Sequence, residues 1–251
     1  MARLYQESVL TVNADSTEFC PLQDLHNLLA VGTYQLDEKT QIRHGLLHLY
    51  AMGSKWPGTL SALQASESQT CVTAQWQAHD LEAWSAAFDR WQDSVVYSGA
   101  DDCMFKGWDL RQPESSPTFV NRKSHSAGVC CIASSIQQEH CLVTGSYDEH
   151  IRLWDTRRIT QPVEIAQVST GGGVWRLKWH PRCSTQILAA CMHNGFAVIS
   201  ADHSTGDVKV LEEYSGQKSL GYGADCLPVL IGQGDSRAAT HVKGASRHKA
   251  L

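Results

Sequence analysis

A histidine, a serine and an aspartate near the middle of the chain have the side-chain types of a hydrolytic site. In such a site the histidine takes the proton of the serine hydroxyl and the carboxylate orients the imidazole, so His79, Ser98 and Asp102 are candidates for acyl transfer. A second set of this kind lies 46 residues further on, at His125, Thr144 and Asp148. Because the set repeats at a fixed spacing, a structural role is an alternative to the catalytic one.

Each set is followed by a Trp-Asp pair, in "YSGADDCMFKGWD" and in "VTGSYDEHIRLWD". A fixed period with an early His and a terminal Trp-Asp is typical of WD40 repeats, which build the four-stranded blades of a β-propeller. A buried His, a hydroxyl, an Asp and an indole N–H can satisfy one another's hydrogen bonds, and losing one member leaves the others unpaired. We therefore predict two structural tetrads: His79, Ser98, Asp102, Trp108, and His125, Thr144, Asp148, Trp154.

Composition narrows the classes of function. The chain has 251 residues and a formal net charge of -5, which gives no basic footprint for nucleic acid. The apolar runs are of strand length, and the first residues, "MARLYQESVL", lack a long apolar segment, so we expect a cytoplasmic protein without a membrane partner. The nine cysteines include no Cys-x-x-Cys pair, and they predict buried thiols and no metal site.

The strand pattern divides the chain into about four units. We place them near 9–70, 71–116, 117–162 and 163–210, with propeller repeats over 9–225 and a tail, 226–251, that is predicted to be disordered.

Two of these units lack a complete tetrad. The first has Gln35 and Tyr50 where Asp and Trp are expected, and the fourth has Ala190, Asn194 and Ser200 at the tetrad positions. Propellers typically close with about four to eight blades. The sequence therefore predicts an all-β WD40 β-propeller that is incomplete or has few blades.

Several segments together resemble one family in particular: "ADSTEFCP", "LLAVGTYQL", "WQAHDLEAW", "TGSYDEHIRLWDTR", "GGVWRLKWHP", "LAACMHNGF" and "YGAD". They resemble the WD40-repeat diphthine methyl ester hydrolases of the diphthamide pathway over about residues 9–225. The resemblance implies hydrolysis of the methyl ester of methylated diphthine on translation elongation factor 2, giving diphthine and methanol without a metal or organic cofactor. Members of that family have further repeats before "WQAH" and beyond "YGAD", so the chain resembles a shortened form.

The repeat also nominates residues that point out of the turns on one face. The residue before the tetrad Asp is Asp101 in one unit and Tyr147 in the next, and the same offset gives His193. Ester hydrolysis at neutral pH needs a base that activates water and donors that stabilise the oxyanion. We predict His193 as the base, Asp101 or Glu82 as the group that orients it, and Tyr147 or Arg176 as the oxyanion donor.

Residues near the starts of two inner strands are predicted to bind substrate on the same face. They are Glu82, Trp84, Trp175 and Arg176. Diphthine carries a quaternary ammonium group, which suits an aromatic cage of Trp84, Trp175 and Tyr147 through cation-π attraction. The alternative for the two tryptophans is packing between blades.

Two further alternatives stay open. Cys191 could be a nucleophile, although no histidine at a suitable spacing would activate it, and a buried strand thiol is the other interpretation. The whole chain could instead be a non-catalytic WD40 scaffold, a substrate-binding adaptor or an inactive shortened form, because a fold does not decide a function.

Overall fold

The computed structural model describes residues 13–20, 28–37, 42–52, 70–112, 116–216 and 220–221. In these ranges it contains sixteen strands and no helix, arranged in four antiparallel sheets of four strands. The predicted all-β class of WD40 propeller blades is confirmed. The proposed tail, 226–251, the residues before Asn13 and the side chain of Gln35 lie outside what the structure describes.

Within each sheet, neighbouring strands are also consecutive along the chain. Sheet 1 contains β1 (Asn13–Phe19), β2 (Leu28–Asp37), β3 (Ile42–Met52) and β4 (Thr70–His79). Sheet 2 contains β5 (Ala83–Phe88), β6 (Val95–Ala100), β7 (Phe105–Asp109) and β8 (Phe119–Asn121). Sheet 3 contains β9 (Val129–Ser134), β10 (Cys141–Ser146), β11 (His150–Asp155) and β12 (Val163–Ser169). Sheet 4 contains β13 (Arg176–Trp179), β14 (Gln186–Ala190), β15 (Phe196–Asp202) and β16 (Asp207–Tyr214).

The chain divides into two compact units. The first, Met1–Val129, holds sheets 1 and 2, and the second, Cys130–Leu251, holds sheets 3 and 4 apart from the first residue of β9. In the first unit a core that includes Leu47, Leu49, Phe88 and Trp108 joins the two sheets. The second unit has a corresponding core of its own between sheets 3 and 4.

Burial explains the strand sequences. Every residue of β6 ("VVYSGA") and of β10 ("CLVTGS") is buried, so these strands read as continuous runs of apolar and small residues. In contrast β16 ("DVKVLEEY") is largely exposed and alternates polar with apolar residues at its start. Inner strands are therefore easy to recognise in the sequence, whereas the outermost strands carry a weaker pattern.

The sequence repeat and the sheet differ in phase by one strand. The sequence unit 71–116 supplies nearly all of β4, which is the outermost strand of sheet 1, and then β5, β6 and β7 of sheet 2. The next unit likewise begins with β8, the outermost strand of sheet 2. Each repeat thus contributes strands to two consecutive sheets, and sheets 1 and 2 are each completed by a strand from the repeat that follows.

The inner hairpin turns share one backbone feature at the repeat spacing. Cys103, Glu149 and Gly195 follow the tetrad Asp or its counterpart, and all three have positive φ, at 61°, 68° and 80°. A residue in the left-handed region is what a short hairpin loop of this kind requires near its end. The preceding residues Asp101, Tyr147 and His193 lie in these three turns.

Candidate functional site

The first tetrad is assembled within the first unit. The His79 ring lies with Nδ1 2.9 Å from Asp102 Oδ2 and with Nε2 2.8 Å from the Ser98 hydroxyl. The indole N–H of Trp108 donates to the same Ser98 oxygen at 2.8 Å. The consistent donor pattern is Trp108 N–H to Ser98, Ser98 O–H to His79, and His79 N–H to Asp102.

This geometry makes the Ser-His-Asp set a structural element and not a nucleophile. Ser98 is fully buried, at 0% exposure, and its oxygen has partners on both sides. Burial lowers the pKa of His79, so the ring is held neutral. Burial alone would raise the pKa of Asp102, but hydrogen bonds from His79 and from the Met104 N–H outweigh it, and the pKa of that carboxyl lies below its usual value.

Part of the second tetrad can be described within the second unit. The indole N–H of Trp154 donates to Thr144 Oγ1 at 2.9 Å, and both side chains are buried. Asp148 pairs with the buried Arg152, with 3.0 Å from Nη1 to Oδ1 and 2.9 Å from Nη2 to Oδ2. The fourth predicted member, His125, belongs to the first unit and is buried at 4% exposure.

Two buried basic residues were missed from the sequence. Lys106 and Arg152 occupy the same strand position one repeat apart, and both are at most 9% exposed. Lys106 Nζ donates to the carbonyl of Ala78 at 2.6 Å. The 46-residue spacing that revealed the tetrads would also have found this pair, which marks a cation near the tetrad Asp as a further repeated feature.

In the first unit the structure brings Glu82 and Asp101 together. The backbone N–H of Asp101 donates to the carbonyl of Glu82 at 2.9 Å, and both residues are half-buried. A methyl group added to Gly128 would lie 2.7 Å from Asp101 Oδ1, so this glycine leaves room for the carboxylate. Trp84, the second residue of β5, is half-buried and lies two residues beyond Glu82.

In the second unit the structure brings the turns of Tyr147 and His193 to the same end. Gly173 lies between them, because a methyl group added there would be 3.6 Å from Tyr147 Cα and 2.7 Å from the sulfur of Met192. Tyr147 and His193 are both exposed, Tyr147 at 48%. Within the described part of the chain, the His193 imidazole has no hydrogen-bonding partner.

Trp175 and Arg176 lie beside that turn. The Trp175 N–H donates to the carbonyl of Ala190 at 2.9 Å, and Arg176 pairs with Ala190 in the first register position of β13 and β14. The Arg176 guanidinium lies 5.8 Å from the centre of the Trp175 ring, and its Nη1 donates to the Trp175 carbonyl at 3.1 Å. Trp175 therefore already contacts one cation, the contact that suits a quaternary ammonium group.

The described part of the second unit offers no activated thiol at this end. Cys191 is fully buried, and burial raises its pKa to about 11, so it stays protonated at neutral pH. The seven cysteines whose side chains the structure describes are free thiols, and five of them are buried. Among the described residues no group of three His, Cys, Asp or Glu side chains is arranged to hold a metal ion. The described residues also contain no helix long and apolar enough to cross a membrane.

A groove of about 410 Å³ lies on sheet 4. Its lining mixes apolar, aromatic and acidic side chains: Leu188, Phe196, Ala197, Val198, Glu212, Glu213 and Tyr214. None of the residues predicted to bind or convert substrate lines it.

Comparisons with known proteins agree with this fold. The family described as "WD domain, G-beta repeat" matches residues 117–155. A solved structure, "Crystal Structure of Mitotic Checkpoint Complex", contains a chain that is similar with a TM-score of 0.60 and 17% identity, over 88% of this chain and 70% of that one. At this identity the likeness shows the fold alone.

Three relatives carry the same name in three organisms. The chain is 48% identical to "Diphthine methyltransferase" of Mus musculus over 70% of its length and 45% identical to that of Homo sapiens over 73%. It spans only 37% and 41% of the lengths of these two relatives. It is 33% identical to "Diphthine methyltransferase" of Schizosaccharomyces pombe over 81% of this chain, and there it covers 85% of the relative. With the WD40 sheets and this coverage, the chain belongs to the diphthine methyltransferase family of WD40-repeat proteins.

Proposed function

We propose that the protein acts in diphthamide biosynthesis and hydrolyses the methyl ester of methylated diphthine on translation elongation factor 2. The products are diphthine and methanol. Water adds its oxygen to the ester carbonyl carbon, the bond from that carbon to the methoxy oxygen breaks, and the methoxy oxygen leaves with a proton as methanol. Membership in the diphthine methyltransferase family supports the substrate class.

The observation that carries the site is the cluster at one end of the second unit. There Gly173 lies between the turns of Tyr147 and His193, whose side chains are exposed, and Arg176, in β13, pairs with Ala190, three residues before His193. An imidazole can act as a general base that takes a proton from water, and a phenol or guanidinium can donate to the oxyanion that forms. In this proposal His193 is the base and Tyr147 or Arg176 is the donor.

Trp175 would contact the trimethylammonium group of the substrate. Its ring lies within 5.8 Å of the Arg176 guanidinium, which already uses this cation-π contact. A substrate cation would approach the other face of the ring or displace Arg176, which could then turn to the oxyanion. Glu82, Trp84 and Asp101 belong to the first unit, and their substrate-binding and orienting roles stay predictions.

The name shared by the relatives describes methyl transfer, whereas hydrolysis removes the methyl group. The two reactions have different co-reactants. Hydrolysis consumes water and releases methanol, and transfer consumes a methyl donor such as S-adenosylmethionine and releases no methanol. An assay that follows methanol with and without the donor separates them.

A second candidate is a non-catalytic WD40 scaffold or an adaptor that binds the substrate protein. One observation favours it: the exposed His193 ring has no partner among the described residues, and a scaffold needs only an open contact face. Binding to elongation factor 2 without any turnover would support this function over hydrolysis.

The test compares His193→Ala with His203→Ala for methanol release from elongation factor 2 that carries methylated diphthine. His203 lies after the other end of β15, in the turn before β16, so it is a matched histidine outside the cluster. We expect His193→Ala to lower kcat by about 100-fold or more, the usual contribution of a general base, and His203→Ala to leave it unchanged. Equal rates for both variants, with both proteins folded, would remove His193 from the mechanism.

A further inference from the structure

The turn that carries His193 is fixed by a hydrogen bond that differs from the tetrads. Asn194 stands at the position of the tetrad Asp, and its amide Nδ2 donates to the carbonyl of Thr170 at 2.6 Å. The other tetrad positions of this unit are Gly171, Ala190 and Ser200, so the buried chain of partners is absent from sheet 4. Compared with the tetrads, sheet 4 has a hydrogen-bonding side chain at the turn, Asn194, but lacks the buried His, Ser or Thr, and Trp.

Thr170 extends this contact to the turn of Tyr147. Its hydroxyl donates to the carbonyl of Gly172 at 2.8 Å and lies 3.1 Å from the carbonyl of Glu149, and its N–H donates to Glu149 at 2.8 Å. Thr170 is almost completely buried, at 1% exposure. Asn194 and Thr170 therefore link the turn that ends at Glu149 with the turn that contains His193.

The segment 171–174 joins Thr170 to Trp175 and Arg176. A methyl group added to Gly172 would meet the Cys191 carbonyl at 2.3 Å and the Asn194 backbone N at 3.0 Å, so the segment packs closely against the His193 turn. The turn itself is unusual, because Met192 has a positive φ of 44°. A strained turn next to an exposed side chain persists only when surrounding contacts hold it.

We infer that Asn194 and Thr170 are positioning residues, which hold His193, Tyr147, Trp175 and Arg176 in one arrangement for the ester substrate. The inference rests on the proposed function for its substrate and on described contacts for its geometry. Neither Asn194 nor Thr170 would touch the substrate. Their effect is on the placement of the residues that do, and a displacement of about 1 Å can cost roughly 100-fold in rate.

The decisive variant is Asn194→Asp, which keeps the shape of the side chain and replaces the N–H donor by a carboxylate oxygen facing the Thr170 carbonyl. We expect kcat/KM to fall about 10- to 100-fold at neutral pH. At low pH the new carboxyl is protonated and can donate again, so the ratio of variant to wild-type activity should rise as the pH falls. A residue that only contributed to stability would not produce this pH-dependent recovery.

A second pair of variants tests the hydroxyl. Thr170→Val removes the donor to Gly172 and should lower kcat/KM, whereas Thr170→Ser keeps the donor and should retain most of the activity.

Asn121→Asp is the matched control for Asn194→Asp. Asn121 Oδ1 accepts from the backbone N–H groups of Lys123 and Ser124, and a carboxylate can accept these bonds equally. Asn121 Nδ2 donates to the Ser124 hydroxyl at 3.2 Å, and that hydroxyl can instead donate to a carboxylate.

Backbone amide exchange at 171–173 gives a readout that does not depend on turnover. Asn194→Asp should increase exchange there at temperatures where the protein is folded, and Asn121→Asp should not. If Asn194→Asp leaves both exchange and kcat/KM at the wild-type values, the positioning role is wrong. If the wild-type chain shows no turnover, the proposed function fails. Increased exchange in Asn194→Asp would then still support the positioning role of Asn194, and unchanged exchange would reject it.

Discussion

At the scale of single residues, the Ser98 hydroxyl connects two ring systems that are buried with it. It bonds to His79 Nε2 and accepts from Trp108 Nε1, each at 2.8 Å, and all three side chains are at most 4% exposed. A buried polar group without a partner lowers the stability of the fold by about 1–3 kcal/mol. The Ser98 oxygen therefore stabilises the fold by keeping the His79 and Trp108 nitrogens paired.

Ser98→Ala should therefore lower the free energy of unfolding by about 2–4 kcal/mol, because it leaves the His79 nitrogen and the Trp108 N–H without this partner. Chemical denaturation of the variant beside wild type measures the difference. Ser204→Ala is the control, since Ser204 is exposed and bonds to Asp202 in a surface turn. A loss for Ser98→Ala no larger than for Ser204→Ala would contradict the structural role of the tetrad.

The same tetrad predicts how stability depends on pH. Burial lowers the pKa of His79 below its ordinary value of 6.5, so the unfolded chain binds a proton more readily than the folded one. The free energy of unfolding should thus decrease as the pH falls below about 6.5. Asp102, whose pKa lies below 3.8, stabilises the fold above that pH and loses its contribution only as the pH falls through its folded pKa.

Denaturation midpoints at about pH 7.5 and about pH 5.5 test this prediction. In His79→Gln the decrease between the two values should be smaller than in wild type. Some slope should remain, because burial also lowers the pKa of His48. An identical decrease in both proteins would show that His79 does not titrate as the buried geometry requires.

Residue types and spacing predicted the members of the first tetrad but could not predict every polar contact. A period of 46 residues reveals a position only where a side chain of the same kind recurs, as it does at Ser98 and Thr144. The bond from Asn194 to the Thr170 carbonyl involves a backbone atom, which leaves no pattern in the sequence. The exposure of His193 fits its place before the tetrad position, whereas its catalytic role stays a prediction.

At the scale of elements, the close approach of sheets 3 and 4 depends on Gly145 in β10. A methyl group there would lie 2.4 Å from Val174 Cγ1 and 2.7 Å from Cys131 Sγ, inside the core of the second unit. Neighbouring strands set these atoms in place, so the core has little freedom to move aside.

Gly145→Ala should destabilise the protein by about 1–3 kcal/mol through overpacking. Gly216→Ala is the comparison, because there the three atoms nearest to the added methyl belong to the exposed Tyr214 side chain, at 2.9 Å or more. Thermal or denaturant unfolding of the two variants measures the effect. A Gly145→Ala protein as stable as the wild type would mean that the sheets separate easily at this point.

Inner strands could be predicted from the sequence, and the completion of the sheets could not. The buried runs of β6 and β10 and the Trp-Asp endings of β7 and β11 mark two strands in each of these two repeats. The outermost strand of a sheet lies in the next repeat, so a unit bounded by sequence similarity ends one strand too early for the sheet. Exposed strands such as β16 carry little hydrophobic signal, which is why their pairing emerges only from the structure.

At the scale of the whole molecule, the chain combines a WD40 framework with a surface cluster that the framework does not require. The first tetrad and the Trp154–Thr144 hydrogen bond stabilise the blades, while Tyr147 and His193 remain exposed at one end of the second unit. Members of the same family in mouse and human are more than twice as long as the part this chain spans. Activity of this chain by itself is therefore the central claim.

The most direct test incubates the chain with elongation factor 2 carrying methylated diphthine in water labelled with heavy oxygen, without a methyl donor. The proposal predicts that methanol is released unlabelled and that the diphthine carboxylate gains one labelled oxygen, since water attacks the carbonyl carbon. No methanol from a folded chain, or a methyl group gained only when a methyl donor is added, would contradict hydrolysis by this protein.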